Sequence, residues 1–122
     1  MIKSRLTGAT SVATDAEHRK LEGQLREQLR QDCDEARRIG YNPTLFLSMM
    51  SKHGPIEACR QVIMASKIPD GFIRLLELKR LELTAEATVL RGPWQTLFNK
   101  AVLEQARSRL IAYGREDLAI RR

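Results

Sequence analysis

From Asp15 to Ile39 the apolar residues fall at Leu21, Leu25, Leu29, Cys33, Ala36 and Ile39, in steps of four and three. That spacing marks one face of an α-helix. The positions between them carry charges of mixed sign, with pairs such as Glu22 and Arg26 one turn apart. Asp15 suits the cap that accepts the first free amides, and Gly40 suits the left-handed residue that closes a helix. The pattern predicts a long helix over 15–39. Residues 1–14 are mostly small and polar and predict a flexible arm.

Beyond Gly40 the period stays helical but the runs shorten. Asn42 and Pro43 fit the cap and first position of a helix in which Leu45, Phe46, Met49 and Met50 share a face, and Gly54 closes it. Pro55 opens the next, with Ile56, Cys59, Val62 and Ile63 inward, and Lys67-Ile68-Pro69 breaks it. Asp70 caps a third, whose Phe72, Leu75 and Leu76 are expected in the core and whose Arg74 and Lys79 are expected in solvent. Thr84 caps a fourth, which Gly92 and Pro93 stop. Trp94, Leu97 and Phe98 read as an aromatic plug. Asn99 then caps a last helix with Val102, Leu103, Ala106, Leu110 and Tyr113 inward, ended by Gly114. Residues 115–122 predict a basic tail.

Only ELKRLEL hints at strand alternation, and no internal repeat is present. The expected fold class is all-α: one long N-terminal helix followed by a compact bundle of about five short helices. Residues 15–114 form the single helical domain, with the short-helix cluster at 43–114.

Length and composition agree with that picture. A chain of 122 residues suits one domain, and 43% hydrophobic residues supply a core. Aromatics are only 5%, so that core is mostly Leu, Ile, Ala and Met. No apolar run approaches the roughly 20 residues that span a bilayer, and the opening residues lack the apolar stretch of a secretory signal. The expectation is a cytoplasmic protein with no membrane association, in which Cys33 and Cys59 stay buried as thiols.

Charge raises a second possibility. The net charge of +6 and pI near 9.8 point toward a polyanionic partner. The excess is spread along the chain. Residues 1–40 carry eight basic and seven acidic side chains, 41–83 six and four, and 84–122 seven and four. The candidates for phosphate contact are Arg37, Arg38, Lys52, Lys67, Arg107, Arg109, Arg121 and Arg122. Segments 55–65 and 70–80, joined by a short turn, have the layout of a helix-turn-helix. Their second helix, however, begins Asp70-Gly71-Phe72-Ile73, acidic and apolar where a base-reading helix needs donors. Its face reads as packing.

Catalytic signals are thin. His18 and His53 are far apart, and no CxxC, HExxH or HxxxH spacing occurs. His53, Glu57 and Cys59 cluster around the Gly54-Pro55 break, but a cysteine at an apolar helical position is far more often core than nucleophile. No glycine-rich loop suits a phosphate. The sequence predicts no catalytic residue, no metal or cofactor, and no small-molecule substrate.

Several motifs follow one another in order: Gly40-Tyr41, Pro43 and Phe46-Leu47; then His53-Gly54; then Asp70-Gly71-Phe72, Leu75, Glu77, Arg80-Leu81, Leu83-Thr84 and Glu86; then Trp94 and Leu97-Phe98; and finally Glu104, Ala106, Arg109-Leu110 and Tyr113-Gly114. In this order they resemble an uncharacterised bacterial helical module, over a little under two-thirds of the chain. Lys79 and Glu82 depart from that pattern, which has Gly and Asp there. The resemblance implies a discrete helical unit, found alone or attached to larger proteins that include nuclease-like and defence-associated ones. It supplies no catalytic residues. Within it, Glu77, Arg80 and Glu86 are expected either to form a polar lattice fixing helix register or to be plain surface charge.

Two functions follow. In the first, the protein is a non-enzymatic accessory or protein-interaction module of a bacterium, phage or mobile element. It docks another chain or a second copy through Leu21, Leu25 and Leu29, because a narrow stripe on a long helix must be covered. In the second, it binds DNA or RNA without sequence preference.

Overall fold

The computed structural model describes residues 2–120, with side chains described from Asp15 onward. All regular structure among them is helical, so the fold class is all-α. Helix α1 runs Ile2–Arg38, 37 residues and about 55 Å long. It starts well before Asp15, so residues 2–14 continue the helix instead of forming the expected arm. That run has no proline, and its one glycine, Gly8, costs a helix only about 1 kcal/mol. Residues 15–20 are all exposed, and packing begins beyond them. Leu25, Leu29, Cys33 and Ala36 are buried.

The end of α1 follows from Gly40 (φ 108°), which directs the Tyr41 amide to the Ala36 carbonyl at 2.8 Å and its own amide to Arg37 at 3.1 Å. Helix α2, Thr44–Met64, consists of two helical segments that meet at a kink at Gly54 (φ 87°, ψ 166°), just before Pro55. The two short helices expected here are therefore its two halves. Pro43, not Asn42, precedes its first turn, and no side chain caps it. Leu45 departs further from expectation: it is 75% exposed.

Helix α3, Asp70–Glu77, starts one residue earlier than a cap at Asp70 requires. Pro69 takes the cap position, and Asp70 lies in the first turn, where its charge favours the helix dipole. Phe72 and Leu75 are buried, Leu76 is half-buried, and Arg74 and Lys79 are exposed, as expected. The helix closes through Lys79 at φ 62°, with Arg80 donating to the Leu75 carbonyl at 2.8 Å. This is the geometry of Gly40 built on a residue with a Cβ.

A 3₁₀ turn, Leu81–Leu83, leads to the short helix α4, Ala85–Val89. Thr84 caps α4: its hydroxyl donates to the Leu81 carbonyl at 2.7 Å and accepts from the Ala87 amide at 3.2 Å. A second 3₁₀ turn, Gly92–Leu97, holds the half-buried Trp94, and the Arg91 guanidinium lies 5.3 Å from the centre of its ring system. Asn99 caps α5, Lys100–Ala112, by accepting from Val102 at 3.0 Å.

The expected basic tail is structured. Residues Glu116–Ala119 form α6, with Leu118 and Ala119 buried, because this apolar pair completes the core beside α5. Arg121 and Arg122 lie outside the described residues.

Helix α4 is the centre of the molecule, with Ala87, Thr88 and Val89 at 0% exposure between α2 and α5. Leu25 and Leu29 of α1 join the same core as Ile63, Leu81, Leu90 and Leu110. The stripe expected to dock another chain is thus covered by this chain, since α1 packs on α2 and on the Gly92–Leu97 turn. Leu21, one turn outward, is half-buried. No helix among the described residues is long and apolar enough to cross a membrane.

Candidate functional site

Packing leaves a cleft of about 680 Å³ bounded by the C-terminal half of α1, both ends of α2, α3 and the start of α4. Its walls are mostly apolar, with Leu29 and Ala36 from α1, Phe46 and Met49 from α2, and Phe72 and Leu75 from α3. Leu45 stands at the lip, with Lys67 and Asp70 also lining the cleft. The size and apolar lining fall within the range of ligand sites, about 300–1,000 Å³.

Two polar pairs fix the walls. Glu86, 2% exposed, accepts from the Arg109 guanidinium at 2.8 Å, and Arg109 is 5% exposed. Arg109 also donates to the carbonyls of Val62 at 2.8 Å and Ala65 at 2.6 Å. One side chain of α5 thereby satisfies the free end of α2 and neutralises a carboxylate of α4. Burial raises the Glu86 pKa, and Arg109 opposes that rise. In the second pair, the Thr88 hydroxyl donates to Asp32 at 2.9 Å, and Gln28 donates to the other carboxylate oxygen at 2.9 Å. This ties α1 to the centre of α4.

Tyr41 shapes the mouth. Its ring lies against the first turn of α3, where a Cβ on Gly71 would collide with the hydroxyl. The Gly-Tyr and Asp-Gly-Phe motifs are therefore two halves of one contact. Burial, with Cys33 and Asp70 nearby, raises the Tyr41 pKa.

Neither cysteine is poised for chemistry at neutral pH. Burial pushes the Cys33 thiol up to about 11 and pushes the fully buried Cys59 up as well. His53 is exposed while Cys59 is at 0% exposure, so the conceivable pair is not assembled. Among the described residues, no group of three or more His, Cys, Asp or Glu is arranged to hold a metal ion.

The candidate phosphate contacts do not converge on one element. Arg37 and Arg38 lie at the end of α1, ion-paired with Asp34 and Glu35, each at 2.6 Å. Lys52 is exposed on α2, Lys67 is exposed between α2 and α3, and Arg107 is half-buried on α5. Arg109 is not a surface residue at all. Its burial reflects the carboxylate of Glu86, 23 residues away in sequence. The expected lattice is also redistributed: Glu77 pairs with Arg74, while Arg80 bridges Glu82 and Glu35.

Sequence reasoning missed the Asp32–Thr88 bond, whose partners are 56 residues apart. It also missed the exposure of Leu45, for which helical periodicity carries no signal. Glu86 and Arg109 both stand in the motifs read from the sequence, but nothing local marks them as partners. No protein-family model, curated protein or solved structure matches the chain.

Proposed function

We propose that the chain is a non-enzymatic helical docking module that receives an apolar segment of a partner protein in the cleft between α1, α2, α3 and α4. The observation that carries this reading is the exposed leucine at the lip, Leu45 at 75%, opening onto about 680 Å³ of largely apolar space. A small-molecule pocket encloses most of its ligand. Here the apolar surface continues from the cleft onto the rim, which suits a segment that lays one side chain inside and others along the edge. The partner contact thus moves from Leu21, Leu25 and Leu29 to the cleft. The resemblance to a module found alone or attached to larger proteins supports an accessory role in a bacterium, phage or mobile element.

The test is selection of random displayed peptides against the full chain, followed by binding to Leu45→Glu. Because Leu45 is solvent-exposed, the variant should melt like the parent. Selected peptides should carry spaced apolar residues and lose at least about tenfold in affinity, as expected for an anchor contact. Peptides that bind both proteins equally would refute the cleft as the docking site.

A further inference from the structure

We infer that α1 carries a second binding surface, a row of arginines that seats the phosphate backbone of a nucleic-acid duplex. At about 100° per residue, Arg19, Arg26, Arg30 and Arg37 fall within a sector about 40° wide. No other residue from Asp15 to Arg38 falls in that sector. The row is about 27 Å long at 1.5 Å per residue. Arg19, Arg30 and Arg37 are exposed and Arg26 is half-buried. Among the described residues, Arg19, Arg26 and Arg30 enter no ion pair. Arg37 has only the exposed Asp34, an interaction weak enough for phosphate to replace.

The chemistry narrows the occupant. Guanidinium groups grip phosphate oxygens in a two-pronged manner that lysine cannot match. Single strands are held largely by stacking on large aromatic rings, and α1 contains no Phe, Tyr or Trp. A membrane surface would require a free apolar face on this helix, but Leu25, Leu29 and Ala36 are buried in the chain's own core. Asp15 and Glu22 lie on one flank of the row and Glu27 and Asp34 on the other, which disfavours a broad anionic sheet more than a narrow strand of phosphates. Four contacts to backbone give affinity without sequence preference.

The surface is independent of the cleft, and its test uses the full chain with a fluorescent mixed-sequence duplex of about 20 base pairs in a salt titration. With four phosphates neutralised, log affinity should fall against log salt with a slope between about −3 and −4. Arg26→Gln with Arg30→Gln should bring the slope to about −2, and Arg30→Gln alone should change it by about one. The same charge loss elsewhere, in Arg60→Gln with Arg74→Gln, should leave the slope unchanged. Circular dichroism of all variants should match the parent, since glutamine is a good helix former. Absence of duplex binding would overturn the inference, as would an unchanged slope in the double α1 variant. So would binding confined to phosphatidylglycerol vesicles.

Discussion

Arg109 makes three hydrogen bonds from inside the protein: one to the Glu86 carboxylate and two to the carbonyls that end α2. Removing the cation strands a buried carboxylate and two acceptors together. Arg109→Met should therefore lower stability by about 3–5 kcal/mol, the range for breaking one side of a buried pair. Urea unfolding measures this, and adding Glu86→Leu should recover part of the loss. A loss near zero for Arg109→Met would mean that the pair is not buried in solution. Lys79 is the opposite case, a residue at φ 62° where a Cβ is unfavourable by about 1–2 kcal/mol. Glycine gives back about 0.5–1 kcal/mol through the unfolded chain, so Lys79→Gly should be stabilising by up to about 1 kcal/mol in the same assay.

The helices themselves were largely legible because their signals are local. Thr84 and Asn99 cap where their hydrogen-bonding side chains precede helical runs, and Gly40 and Gly114 close helices where only φ > 0 suits the turn. Several misses arise where elements meet, beyond the reach of local signals. Leu118 and Ala119 look like tail until α5 and α6 meet. The Leu stripe of α1 looks unpartnered until α2 and the Gly92–Leu97 turn cover it. Between elements, Glu35 joins α1 to the Leu81–Leu83 turn through Arg80 at 2.9 Å. Hydrogen bonds from Arg38, then Arg80, hold its carboxyl down at about 2, against 4.5 ordinarily. A folded pKa below the unfolded one makes ionised Glu35 stabilising above pH 4.5, and that contribution disappears as pH falls toward 2. Thermal melts across this window should fall less steeply for Glu35→Gln than for the parent. Parallel profiles would show that the contact carries no acid sensitivity.

At the scale of the whole molecule, the α1 stripe is buried inside the chain, and the two surfaces proposed to bind lie elsewhere. One is the cleft with Leu45 at its lip; the other is the arginine row on the flank of α1. The cleft was not legible in the sequence, because an opening is set by how Tyr41, Gly71 and the ends of α2 meet, not by any single run of residues. The arginine row is written in the sequence as steps of seven, four and seven, but only a continuous helix turns those steps into one face. The most direct test of the docking reading is an amide NMR titration of the labelled chain with a selected peptide. Shifts concentrated at Tyr41–Met49 and Ile68–Leu75, with Arg19–Arg30 unmoved, are expected. Shifts spread along α1, or absent from the Tyr41–Met49 segment, would contradict a docking cleft there.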